Sequence, residues 1–271
     1  MYKLSIVPPS LRYGQEVELT GQEDRWQIAS VTGFNPPAAA VNVTRMAGQD
    51  GARFNSEYLG TRNVVITMKL NSSSSYTVAQ NRIYLEDLFQ QKEKITMKYT
   101  GGRSVMFSGY VDKIECVEFS QAVVMQISII CPDPYLYDQT TVTYTGKSAS
   151  VQNTTTMPLG MLMKIKITSS ISALVVKRNG NEAMRITYAF QSGDEITINT
   201  RTGSKSVALK RSGVTTNLFP YLSDTSTFPT IQAATTAATA AATIAFFDGN
   251  NSSAWIGTDT TIETQNRYVG A

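Results

Sequence analysis

The chain has 271 residues, and its 24 lysines and arginines against 21 aspartates and glutamates leave a formal charge of +3. Charged residues make up 17% of it, low beside the roughly 25% of ordinary soluble domains, while 33 threonines and 13 tyrosines favour β-structure. Histidine is absent, which removes Ser-His-Asp and Cys-His catalysis, His-ligated zinc and a His general base, and no basic cluster stands out to recruit nucleic acid.

The length suits two domains of ordinary size. Met1 leads into Tyr2-Lys3-Leu4-Ser5-Ile6-Val7-Pro8-Pro9, too short and interrupted for the apolar core of a secretory signal. No apolar run reaches about 18 residues, so the expectation is a chain made in the cytoplasm that enters no membrane. Trp26 to Val31 alternates as a strand and breaks at Gly33-Phe34-Asn35-Pro36-Pro37, where two prolines forbid further pairing. Residues 38–43 and 52–59 then flank Gly48-Gln49-Asp50-Gly51, the layout of a protruding hairpin with few large apolar residues to bury. A strand over Asn63 to Leu70 follows.

Thr77-Val78-Ala79-Gln80 is a capping box, which predicts a helix from Val78 to Gln90. Ile83, Tyr84, Leu85, Leu88 and Phe89 form its apolar stripe, packed on its own sheet or shared with a partner subunit. Strands are expected at Ile95–Tyr99, Ser104–Phe107, Tyr110–Phe119 and Ala122–Cys131, and the first domain ends at Cys131-Pro132-Asp133-Pro134-Tyr135. The polar tract after it, through Asn153-Thr154-Thr155-Thr156, reads as a linker or crossing strand, which gives domains 1–140 and 141–271. In the second, Met161 to Thr168 alternates with period 2. Strands Ile171–Lys177 and Ala183–Phe190 meet at the hairpin signal Asn179-Gly180, and further strands are expected at Glu195–Thr200, Lys205–Leu209, Thr243–Phe247 and Thr260–Val269. That set makes a β-sandwich, with the Ala/Thr tract 233–243 left as a surface loop or weak helix.

Cys116 and Cys131 lie in apolar strand-like runs, not in a CxxC pair, and are expected as two buried free thiols, with a disulfide between adjacent strands as the alternative. Asp112, Glu115 and Glu118 could serve as paired carboxylates, but alternating polar residues on a solvent-facing strand account for them without chemistry. Asp248-Gly249-Asn250-Asn251 lacks the ligand spacing of a calcium loop, and Trp255 is read as core packing. No catalytic, cofactor or metal residue is assigned.

The ordered marks Arg25-Trp26-Gln27-Ile28, Gly33-Phe34-Asn35-Pro36-Pro37, Arg62-Asn63-Val64-Val65-Ile66, Asn81-Arg82-Ile83-Tyr84-Leu85, Gly109-Tyr110-Val111, Glu118-Phe119-Ser120 and Ile127 through Tyr135 resemble the siphophage distal tail protein family, the baseplate hubs of long non-contractile phage tails. In the second half Pro158, Asn179-Gly180, residues 193–200 and Arg267-Tyr268-Val269-Gly270 also look like that family. The resemblance implies a mainly β protein: a tail-tube-like β-barrel or sandwich with one short helix and a hairpin arm over about 34–58, then a galectin-like β-sandwich. It implies a non-enzymatic virion component, assembled in the host cytoplasm, whose homo-hexameric ring at the tail tip joins the tail tube protein to a tail-associated lysin, fibre or receptor-binding protein. DNA would cross its channel without being gripped. The subunit-interface candidates it implies are Phe34, Asn35, Pro36 and Pro37 at the arm's root, Gly48, Gln49, Asp50 and Gly51 at its tip, Arg53 on its return limb, and Tyr84 and Leu88 on the helix. The alternative is a two-domain β adhesion or carbohydrate-binding protein.

Overall fold

The structure is a computed structural model and describes residues 2–8, 15–48, 50–89, 92–117, 123–235, 240–249 and 260–269. Two compact units emerge, Met1–Gln139 with Tyr268–Ala271, and Thr140–Arg267.

The first unit contains β1 (Lys3–Val7), β2 (Val17–Glu18), β3 (Trp26–Thr32), β4 (Ala39–Thr44), β5 (Arg53–Leu59), β6 (Arg62–Leu70), α1 (Val78–Leu88), β7 (Lys94–Thr100), β8 (Ser104–Cys116), β9 (Val124–Cys131) and β10 (Leu136–Asp138). Its main sheet runs β2-β1-β7-β8-β9-β6-β3, with β10 on β8. Among the described residues nothing pairs β2 with β3, so the sheet stays open and the barrel form expected for this half is not made. Alternation drives the packing: in β6, Val64, Ile66, Met68 and Leu70 are buried while Asn63 and Lys69 face water. They join Trp26, Met97, Phe107, Ile127, Ile129, Leu85, Leu88 and Phe89 in one core, each large apolar side chain contributing roughly 1.5–3 kcal/mol by burial.

Residues 3–7 form a strand antiparallel to β7 that sequence reading did not assign, and it ends before Pro8. One expectation fails here for an identifiable reason. β8 is one continuous strand, not two, because Gly109 stays in the ladder. A Cβ there would meet the Ile130 carbonyl oxygen at 2.7 Å and the Cys131 sulfur at 2.9 Å, so glycine makes room for the neighbouring strand.

The second unit holds β11 (Val142–Thr145), β12 (Ser148–Asn153), β13 (Met161–Lys166), β14 (Ile171–Arg178), β15 (Asn181–Phe190), β16 (Glu195–Asn199), β17 (Ser206–Arg211), β18 (Val214–Asn217), β19 (Ala240–Asp248) and β20 (Thr261–Thr264). They make a six-stranded sheet, β11-β20-β13-β16-β17-β18, and a four-stranded sheet, β12-β19-β14-β15. Met163, Ile165, Ile196, Ile198 and Leu209 of the first meet Leu174, Val176, Met184, Ile186, Ile244 and Phe246 of the second in a common core, which is a β-sandwich. Asn179 and Gly180 take φ of 51° and 82°, the paired positive values of a tight hairpin turn.

The polar tract 142–153 is structured as β11 and β12 and is not a linker: Thr and Ser on its exposed face obscure the burial of Val151 and Asn153. Residues 240–243 of the Ala/Thr tract belong to β19 and are not loop or helix; Ala242 is small enough to sit in the core opposite Val151. β18 was not anticipated, and the strand pair it forms turns at Ser212-Gly213, both at positive φ. Residues 236–239, Trp255 and Asn250-Asn251 lie outside the described residues. The last strand, β21 (Arg267–Tyr268), pairs with β10.

Candidate subunit-interface site

α1 and the root of the arm owe their placement to two arginines. Thr77 and Gln80 form both bonds of the capping box. The helix ends at Leu88, with Gln90 outside the described residues. It buries Asn81, Leu85 and Leu88, whereas Ile83, expected in the apolar stripe, is 59% exposed. Asn81 takes the core-facing place because its amide serves three main-chain and side-chain partners: Nδ2 donates to the Arg25 and Asn71 carbonyls, and Oδ1 accepts from Arg25 Nε at 3.0 Å. The Arg25 guanidinium lies 4.3–4.6 Å from the rings of Trp26, Tyr76 and Tyr84. Tyr84 stacks on Trp26 and Leu88 is in the core, so both helix candidates are engaged within their own unit.

Arg62 is 1% exposed and faces no carboxylate within ion-pair distance among the described residues. Its five N–H donors are met by main-chain carbonyls alone: Pro134 takes Nε at 2.9 Å and Nη2 at 2.7 Å, Gly33 and Asn35 accept from Nη1, and Val269 accepts from Nη2. Burial lowers its pKa, and Cys131 and Asp133 nearby oppose that. The side chain thereby ties the arm's root to the turn after β9 and to the last residues of the chain. Sequence reading passed over it as one mark among several; the only available signal was an arginine opening an otherwise apolar strand. Phe34 stacks on Tyr99 with ring centroids 4.4 Å apart and meets Phe107 edge-on, so it seats the root against its own core. Pro36 is exposed and Pro37 half-buried.

Beyond Pro37 the chain leaves that core. β4 and β5 pair only with each other, in a two-stranded sheet whose residues are almost all exposed. The Gly60 amide donates to the Ala38 carbonyl and closes its base. At the tip Gly48 and Gly51 have φ of 80° and 88° with open space around them, Asp50 is exposed and Gln49 lies outside the described residues. Arg53 is exposed beside Thr44. The hairpin is not poor in apolar surface as its sequence suggested: Val41, Val43, Met46, Phe54 and Tyr58 are each at least half exposed. A two-stranded ribbon with no core of its own is marginal in water alone.

Elsewhere, Asp112 and Glu115 are exposed, Glu115 pairs with Lys113, and Glu118 lies outside the described residues. Among the described residues no three acidic or cysteine groups cluster as metal ligands.

Residues 154–248 match the family model of the siphovirus-type tail component, C-terminal domain. That match covers most of the second unit, which is thus similar to the C-terminal domain of a siphovirus-type tail component. Comparison with curated proteins by sequence finds no match. In three dimensions the chain and the Dit protein (gp 19.1) of phage SPP1, described as a paradigm of the hub adsorption apparatus in phages infecting Gram-positive bacteria, agree over 99% of each, with a TM-score of 0.69 at 13% identity. Chains of the phage P2 baseplate in its activated conformation, with calcium and with strontium, agree over 100% of each, with TM-scores of 0.58 and 0.59 at 8% and 9% identity. The fold of the chain, arm-bearing unit included, is thus similar to that of these phage proteins.

Proposed function

We propose that this chain is a structural hub of a long non-contractile tail tip, in which six copies form a ring around a channel for DNA, between the tail tube and the lysin or receptor-binding apparatus. The observation that carries the reading is the full-length match to a hub protein by a chain whose second unit is similar to a tail component domain. The first unit would make the ring and the second would project from it. The chain's formal charge of only +3 supports a conduit that does not hold DNA, and on the solvent face of the first sheet Lys3 pairs with Glu18, Lys98 with Glu16 and Lys113 with Glu115, while Lys69 and Lys94 are exposed there. No catalytic step is part of the proposal. Imaging of assembled tails tests it: sixfold density for this chain at the tail tip is expected, and its absence there would overturn the ring.

A further inference from the structure

Three steps in this chain place an aspartate or asparagine directly before glycine: Asp50-Gly51, Asn179-Gly180 and Asp248-Gly249. At such a step the glycine main-chain nitrogen can attack the side-chain carbonyl carbon, because no Cβ on the following residue blocks its approach. The new N–Cγ bond closes a five-membered succinimide. The amide proton leaves in water from aspartate, or in ammonia from asparagine. Water then adds to one of the two ring carbonyls, and addition at the former main-chain carbonyl leaves the chain running through Cβ as isoaspartate. For aspartate the water lost is regained, so the product is an isomer of equal mass. Chemistry alone ranks Asn179 first, since at neutral pH an amide carbonyl is a better electrophile than a carboxylate.

The fold reverses that order. Asn179 is exposed, as Asp50 is, but its Oδ1 accepts from the Thr243 amide at 2.9 Å and its own amide donates to the Thr243 carbonyl at 2.8 Å. Its turn is closed by the pair Arg178 and Asn181, so bringing Cγ to the Gly180 nitrogen means tearing the side chain off β19. Asp248 ends β19 opposite Leu174, and there the attacking nitrogen is engaged: the Gly249 amide donates to the Ala173 carbonyl at 2.8 Å. Nothing comparable holds Asp50. Among the described residues no hydrogen bond or ion pair engages its carboxylate or the Gly51 amide, and the space around Gly51 is open. Both residues lie beyond Thr44 and Arg53, the last pair of the arm's two strands, at a loop tip where the backbone is least constrained.

We infer that Asp50-Gly51, at the arm's tip, is a site of spontaneous aspartate isomerisation, and that the fold shields Asn179-Gly180 from the corresponding deamidation. The side-chain carbon and the glycine nitrogen must meet before they react; the free tip samples that approach and the tethered turn does not. Water is the only co-reactant, and neither step depends on what the chain assembles with.

The test ages the purified full chain in warm neutral buffer, and in parallel in urea, before digestion with trypsin. Cuts after Arg45 and Arg53 release residues 46–53, in which Asp50 is the only acidic residue, and cuts after Arg178 and Arg185 release residues 179–185. Labelling with a protein isoaspartyl methyltransferase reads each peptide. In the folded chain, label in residues 46–53 several-fold above that in residues 179–185 is expected, and in urea the order should invert. Asp50→Glu, whose longer side chain would have to close a six-membered ring, should remove the label from residues 46–53. Folded-chain label in residues 179–185 equal to or above that in residues 46–53, or none in residues 46–53, would overturn the inference. So would an order unchanged in urea, which would show that intrinsic chemistry and not the fold sets it, or label that persists in the Asp50→Glu peptide.

Discussion

Single side chains here act mainly by satisfying main-chain groups. Arg62 is the extreme case, since truncation would leave carbonyls of Gly33, Asn35, Pro134 and Val269 without donors at once. Charged hydrogen bonds are worth roughly 1.5–3 kcal/mol each, so Arg62→Ala should destabilise the first unit by about 3 kcal/mol or more in urea unfolding, and Arg62→Lys, with three donors in place of five, by less. Titration offers a second residue-scale expectation. The Arg211 guanidinium, with help from the Gln191 amide, holds the Asp194 carboxyl below the usual carboxylate range against the opposing effect of burial. A lowered carboxylate contributes stability that is present above its unfolded pKa and lost as pH falls through the folded one. Burial pushes the Cys131 thiol up to about 11, and a raised thiol contributes stability below its unfolded pKa that is lost on the way up to that value. With no histidine, stability should be flat between these limits. Melting temperature against pH checks this: Asp194→Asn should make the acid limb shallower, with Glu16 and Glu182, held low by Lys98 and Arg185, carrying the rest, and Cys131→Ala should make the alkaline limb shallower, with Tyr99, raised by burial, carrying the rest.

At the scale of elements, local pattern and tertiary packing part company in predictable places. Strands with a buried face, such as β6 and β13, were legible because alternation and burial coincide, and α1 was legible from its cap. The helix's inward face was not, because Asn81 displaces Ile83 through hydrogen bonds that hydropathy does not register. The arm's two faces were equally hidden, since a bulge breaks the period on which sequence reading depends. These differences give opposite expectations for two neighbours on one helix. Leu85→Ala should cost about 2–5 kcal/mol as a core truncation, whereas Ile83→Lys should stay within about 0.5 kcal/mol. Thr77→Ala, which loses the cap bond to the Gln80 amide, should cost about 1 kcal/mol. Denaturant midpoints of the three variants would rank them, and a large loss for Ile83→Lys would show that the helix packs by its hydropathy stripe after all.

At the scale of the molecule, each unit has its own apolar core, but they are not equally closed on themselves in sequence. Residues 140–267 are continuous. The first unit needs the far end of the chain: Tyr268 lies under the Arg103 guanidinium at 4.5 Å, and the Val269 carbonyl takes one donor of the buried Arg62. Nothing in the local sequence of residues 1–139 announces that dependence, because a contact across 207 positions leaves no periodic trace. A fragment of residues 140–267 should therefore show a cooperative thermal transition of its own. A fragment of residues 1–139 leaves a buried guanidinium donor without its acceptor, a loss of the order of 1–3 kcal/mol, and should melt lower than the same unit in the full chain. Scanning calorimetry of both fragments and the full chain decides the matter. Equal melting of the first unit with and without residues 268–271 would mean that the returning segment merely lies on the unit and does not complete it.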